Sequence, residues 1–236
     1  MMAQVTTISF FKLIKSQSKI WAFFMMQFGH ASLANISGQQ FYKLMGSGRG
    51  FGFNPWPDWS IYTLLQIWEN EEAAQLFTKS SPFFHKYCAK SAESSTLYLR
   101  NITSHGTWDG KNPFTPFTTS QDQRLPRLIL TRATIKKSKL RTFWNYVPTS
   151  QKSLANATGL IYTKGVGEWP LIQMATLSVW ENEAAMLDFA YGSKDHIKAI
   201  KMTKELNWYK EELFARFVPY RIEGDFKELK GLEELV

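Results

Sequence analysis

The sequence predicts an α+β fold of tandem ferredoxin-like repeats, closing within one chain as a barrel of the dimeric α/β kind. Three observations predict it. Trp68-Glu69-Asn70-Glu71, followed by Ala73, Ala74 and Phe77, returns 112 positions later as Trp180-Glu181-Asn182-Glu183, followed by Ala184, Ala185 and Phe189. Ser32-Leu33-Ala34-Asn35 with Gly38 returns as Ser153-Leu154-Ala155-Asn156 with Gly159. Between these landmarks each copy reads in the order β-α-β-β-α-β. The predicted organisation is a first half over residues 1–102, a linker over 103–126 and a second half with a C-terminal tail over 127–236.

In the first half, Val5 to Phe11 is β-branched and aromatic and reads as a strand. Residues 18–34 read as a helix. Residues 60–68 read as a strand, residues 71–89 as a helix interrupted near Pro82, and residues 97–102 as the last strand. The segment 103–126 is rich in Gly, Pro, Thr and Ser, as a linker is. In the second half, a strand at 128–135 precedes a helix at 137–156 that Pro148 is expected to interrupt. Strands at 160–166 and 171–179 follow. A helix at 183–191, a break at Gly192-Ser193, a helix at 194–206 and a strand at 214–221 complete the copy. The alternation in Ala175-Thr176-Leu177-Ser178-Val179 suits a sheet with one face on helices and one on an interior.

The first half is nine residues longer between its landmarks, and the excess falls in Gly46 to Trp59. A long loop of glycine and aromatic residues where a hairpin needs only a short turn is a functional lip or a tolerated insertion.

Composition sets limits. Hydrophobic residues make up 44% and aromatic residues 15%, which excludes a disordered chain. The net charge of +8 favours an anionic partner. The densest basic stretch, Lys136 to Arg141, is too short for a nucleic-acid tail, and no nucleic-acid partner is expected. Cys88 is the single cysteine, which points to a reducing compartment. Lys12, Lys15 and Lys19 before an apolar run resemble a signal peptide. The repeat argues against cleavage, because residues 5–11 match the strand that opens the second half. No apolar run reaches the roughly 20 residues of a spanning helix.

The glycine run at Gly46-Ser47-Gly48-Arg49-Gly50 lacks the spacing of a dinucleotide fingerprint, and Pro55 and Pro57 forbid an immediate helix. The four histidines, His30, His85, His105 and His196, show no paired metal spacing. One histidine suffices for haem iron, with an apolar slot for the porphyrin. His196 is the candidate, because Ala199, Ile200 and Thr203 on its helix face are small or apolar. Lys194 and Asp195 beside it equally suit a partly exposed histidine at a helix start. His85, one residue from the position equivalent to His196, is the second candidate. Arg49 is the one charge in its glycine run, suited to a haem propionate or a lipid surface.

Several stretches carry a resemblance. Phe41 to Gly48, continuing through Gly50-Phe51-Gly52-Phe53 to Pro55 and Pro57, is similar to the spheroidene monooxygenase family, the carotenoid ketolases of purple bacteria. So are Ile8-Ser9-Phe10-Phe11, the run Trp21 to Met26, and Trp208 to Phe217 following His196. The resemblance implies a haem enzyme. It would use dioxygen and reduced ferredoxin to hydroxylate or ketolate the C-2 end position of an acyclic carotenoid. Cofactor-binding roles are expected for His196, Arg49, Lys43, Trp208 and Arg216, with His196, on its helix-face neighbours and its place in a matching segment, on the metal and His85 the runner-up. Gly46, Gly48, Gly50, Phe51, Phe53 and Trp56 would form a substrate groove. With the lone cysteine and the basic charge, a cytoplasmic protein is expected, able to make peripheral contact with the inner face of a membrane where carotenoids reside. Two alternatives stand beside this: another haem chemistry on the same fold, such as aldoxime dehydration or peroxide use, and a haem or carotenoid carrier without turnover.

Overall fold

A computed structural model describes residues 3–52, 54–117, 122–151, 154, 157–192, 201, 202 and 205–236, with backbone alone at 148–151. Eight strands form it: β1 (Val5–Lys12), β2 (Gln39–Gly48), β3 (Pro57–Trp68), β4 (Glu93–Gly106), β5 (Arg127–Ile135), β6 (Leu160–Trp169), β7 (Gln173–Trp180) and β8 (Tyr209–Asp225). All pairings are antiparallel, and the strands close as a barrel in the order β1-β3-β2-β6-β7-β5-β8-β4.

The barrel has two unequal seams between its first four and last four strands. β4 and β8 pair from Ser94↔Asp225 to Gly106↔Leu213. β2 and β6 pair only at Gly46↔Gly167 and Ser47↔Val166. The long seam explains why β4 and β8 outrun the strands predicted at 97–102 and 214–221. Their extra residues find backbone partners in each other, which local pattern does not reveal.

The interior is filled. Ile8, Phe10, Leu65, Leu97, Leu130, Leu177 and Phe217 are fully buried in one cluster. Trp108 packs edge-on to Phe41 toward one end, and Phe226 packs against Phe10 and Tyr162 toward the other. Side chains fill much of the barrel interior, and clefts lie on its outer face or reach its mouth, where Ile61 and Tyr162 of the interior cluster line one of them.

Helices cover the outer face. α1 (Ser16–Phe28) and α2 (His30–Leu33) replace the single helix predicted over 18–34. The helix breaks at Gly29, where a side chain would meet the Met25 carbonyl at 2.6 Å. α3 (Glu71–Ser80) starts where the Asn70 side chain accepts from the Ala73 amide at 2.8 Å. α4 (Pro82–Lys90) has Ser81 as its cap and Pro82 in its first turn, so the proline separates two helices as expected. α5 (Leu140–Gln151) runs through Pro148, against expectation. Proline removes one intrahelical hydrogen bond, but burial of Phe143 and Val147 holds the helix on the sheet. α6 (Glu183–Gly192) is capped by Asn182, which accepts from the Ala185 amide at 2.9 Å.

The repeated landmarks make the same local contacts. Gly38 and Gly159 both have φ of 74°, a left-handed conformation that favours glycine. Their carbonyls accept from Glu69 and Glu181 amides, each at 2.9 Å. A Cβ on Gly38 would lie 2.6 Å from the Ala73 Cβ, and one on Gly159 2.5 Å from the Ala185 Cβ.

The two outer faces differ in what fills them. Over the first, Phe11, Tyr62, Leu64, Trp68, Phe77 and Tyr87 form an aromatic core. Over the second, Thr176 stands four residues before Trp180, where Leu64 stands before Trp68. Two residues before the tryptophans are Ser178 and Gln66. These shorter side chains leave space under α6.

Candidate functional site: clefts on the outer face of the barrel

Among the described residues, three adjoining or neighbouring clefts stand out. The first, about 210 Å³, opens at the short β2–β6 seam between α1 and the sheet. Its walls are Phe23, Met26, Tyr62, Val166, Trp169 and Met174, with the backbone of Gly46, Gly48 and Gly165 and the loop residues Asn54 to Trp59, Trp56 excepted. Glycines here remove side chains from the floor, and the apolar walls suit an apolar ligand. Burial and the Asp58 charge push the Tyr62 phenol up to about 12, so it is a neutral hydroxyl on this wall.

The second cleft, about 460 Å³, is lined by Gly50 and Phe51 of the same loop, by Leu160 to Lys164 of β6, and by Leu154 and Glu228. The third, about 280 Å³, lies between α6 and the sheet. Ile129, Thr131, Thr176, Ser178 and Phe214 form its floor, and Met186, Phe189 and Tyr191 of α6 its roof. Leu154 and Thr163 line both, so the second and third clefts adjoin.

Charged pairs frame these spaces. Lys164 Nζ donates to Asp58 Oδ2 at 2.8 Å, and its side chain is only 8% exposed. Asp58 lines the first cleft and Lys164 the second, so this pair is the partition between them. Burial raises the Asp58 pKa, but Lys164 and the Ser60 hydroxyl and amide outweigh it and hold the carboxyl below its usual value. At the third cleft, Arg216 Nη1 donates to Glu183 Oε1 at 2.9 Å, and Arg127 Nη2 donates to Glu183 Oε2 at 2.9 Å. The Arg216 Nε is buried with no hydrogen-bond partner among the described residues. A cation with a spare buried donor on a cleft wall suits an anionic group on a ligand.

The sequence-predicted residues fall in different places. Gly46 and Gly48 line the first cleft, Gly50 and Phe51 the second. Trp56 is 69% exposed beside them. The Arg49 side chain is exposed, and its amide donates to the Trp56 carbonyl at 2.9 Å. Phe53 and His196 lie outside the described residues; α6 ends at Gly192, one residue past Tyr191 of the third cleft. Lys43 points into a barrel mouth, bonded to Glu168 and to Asp109 at 2.6 Å. Glu168 also accepts from the Trp108 indole at 2.8 Å, so Lys43 steadies the tryptophan that plugs this end. Trp208 is buried against Phe143 and Tyr146 under α5, away from the three clefts. His85 is exposed on α4, its Nε2 3.0 Å from the Thr78 carbonyl.

Sequence reasoning missed Asp58, Lys164, Glu183 and the Thr176–Ser178 floor. Glu183 had a signal, since it is the last residue of the repeated Trp-Glu-Asn-Glu, and its counterpart Glu71 is also paired with arginines, Arg100 and Arg221. It also passed over His105, whose ring stacks 5.1 Å from Phe214 of the third cleft. Among the described residues, no three His, Cys, Asp or Glu converge as a metal site, and no helix is long and apolar enough to cross a membrane.

These features define a class: an eight-stranded α+β barrel closed within one chain, with ligand-sized clefts under its outer helices. Two solved aldoxime dehydratases share the fold, one in complex with butyraldoxime. Their TM-scores are 0.65 and 0.62, over 99% and 92% of this chain and 86% and 81% of theirs, at 8% and 9% identity. No family model matches the chain. Curated relatives are more specific. The chain is 34% identical to the spheroidene monooxygenase of Rhodobacter capsulatus, over 94% of this chain and 92% of the relative. It is 35% identical to that of Cereibacter sphaeroides over 91% of this chain, which spans 66% of that longer relative. The chain belongs to the spheroidene monooxygenase family.

Proposed function

We propose that this protein is a haem-dependent monooxygenase that hydroxylates or ketolates the C-2 end position of an acyclic carotenoid, with dioxygen and a reduced ferredoxin-type donor. Family membership carries the reaction class and the substrate class. The reaction puts one oxygen atom into a C–H bond. The other leaves as water, with two electrons delivered one at a time by two reduced donor molecules and two protons from solvent.

Haem, when bound, supplies dioxygen activation. The second and third clefts together suit a flat, largely apolar group. Their combined size falls in the usual range for cofactor sites. His196 is the proposed iron ligand, in the segment that follows Gly192. Arg216, whose Nε has no partner among the described residues, would donate to a propionate. The polyene would run from the first cleft along the lip at residues 46–59. The aromatic and glycine walls there exclude water, and the Asp58–Lys164 pair fixes how far the chain end reaches. The matching glycine turns and capped helices at Gly38 and Gly159 support an origin by tandem duplication, with the second half specialised for the cofactor. The net charge of +8 supports peripheral attachment to an anionic membrane, where such substrates dissolve.

Turnover of a carotenoid with dioxygen and reduced ferredoxin tests the reading. An oxygenated C-2 product supports it. A haem-loaded protein that converts no acyclic carotenoid refutes it.

A further inference from the structure

We propose that the outer face of α1, with the lip beside it, docks on an anionic lipid bilayer and opens the first cleft directly to the hydrocarbon. Ile20, Phe24 and Phe28 follow one another at i, i+4 and i+8 and are 58%, 52% and 64% exposed. The opposite face of the helix is already used: Ala22 is fully buried, and Trp21 packs 4.7 Å from Tyr87. A helix apolar on both sides cannot satisfy its outer side with its own core. Its apolar surface is continuous with the lip, because Phe23 packs 4.8 Å from Trp59. Contiguous exposed apolar surface of this kind marks an interaction site.

Charge selects the occupant. No Asp or Glu occurs before Asp58, and that first carboxylate is held by Lys164. Lys15 and Lys19 sit at the start of α1 with no acidic residue in its first turn. Helix stability alone favours acids there, so this arrangement concentrates positive potential beside the apolar stripe. Phenylalanines flanked by lysines, with Trp56 and Trp169 exposed nearby, have the composition of an interfacial segment on anionic lipid. Phe23, Trp59 and Trp169 also line the first cleft, so an apolar molecule could pass from lipid to cleft without crossing water. That last step rests on the proposed carotenoid reading; the docking does not.

Sedimentation of the full chain with vesicles tests the docking without turnover, so its outcome is separable from that of the oxygenase reading. Wild type is expected to pellet with phosphatidylcholine–phosphatidylglycerol vesicles, less at high salt, and to stay in solution with phosphatidylcholine alone. Phe24→Ser with Phe28→Ser should lower the partition coefficient about tenfold or more. Lys15→Gln with Lys19→Gln should lower it about fivefold per lysine. All four side chains lie outside the buried core, so circular dichroism and melting should match wild type. Wild type that ignores anionic vesicles, or variants that bind as wild type does, would overturn the proposal. So would a wild-type dimer that ignores vesicles and dissociates in the Phe24/Phe28 variant, since a second copy would then cover the face.

Discussion

Lys164 Nζ lies 2.8 Å from Asp58 Oδ2, and the two side chains form the wall between the cleft at α1 and the cleft beneath the tip of the lip. Strand β6 supplies the lysine and the start of β3 supplies the aspartate, so the ion pair also ties the two halves of the barrel near its short seam.

Asp58→Asn should destabilise the protein by about 2–4 kcal/mol, because it leaves a buried ammonium unpaired. Lys164→Met with Asp58→Asn should recover most of that loss. The pH dependence has a definite sign. The folded Asp58 carboxyl is below its usual value of about 3.9, so its contribution is complete above that pH and is lost as pH falls through the folded value. Denaturant titrations from pH 6 to pH 3 check this: the wild type should lose stability below about pH 4 more steeply than the double variant. Parallel curves would show that the pair contributes nothing.

Arg216→Gln should reduce haem retention through gel filtration while costing about 1 kcal/mol or less of stability, since Glu183 keeps Arg127. Haem content at wild-type level in this variant would remove Arg216 from the cofactor site.

Thr176→Leu places in the second half what Leu64 is in the first. It should fill part of the third cleft, raise stability by about 1 kcal/mol or less, and lower cofactor uptake. A variant equally loaded with haem would show that the cofactor lies elsewhere.

Gly38→Ala and Gly159→Ala should each cost at least about 2 kcal/mol, from the left-handed backbone and the clash with Ala73 or Ala185. Urea unfolding of the two variants checks this, and a large cost at one site with none at the other would contradict the equivalence of the two turns.

The fold was largely legible because its signals are local. The repeated Trp-Glu-Asn-Glu, the Pro82 break and the alternating strands all announce themselves within a few residues of sequence. The long β4–β8 seam was not legible, because each strand's extra length exists only through a partner over 100 residues away in the chain. The extra length of residues 46–59 reads as a functional lip or a tolerated insertion, and Gly46, Gly48, Gly50 and Phe51 of this stretch line clefts. Asp58 and Lys164 were invisible as a pair, since nothing in either neighbourhood specifies the other. Lys43 and Trp208 illustrate the opposite difficulty. They lie in matching segments, but their surroundings are a barrel plug and a helix core.

The most direct test of the account is the visible absorption spectrum of the purified full chain from a haem-sufficient host, beside that of His196→Ala. The account predicts a Soret band in the wild type and its loss in the variant, with circular dichroism unchanged. A wild type that takes up no haem even when haemin is supplied, or a variant with an unaltered band, would contradict it.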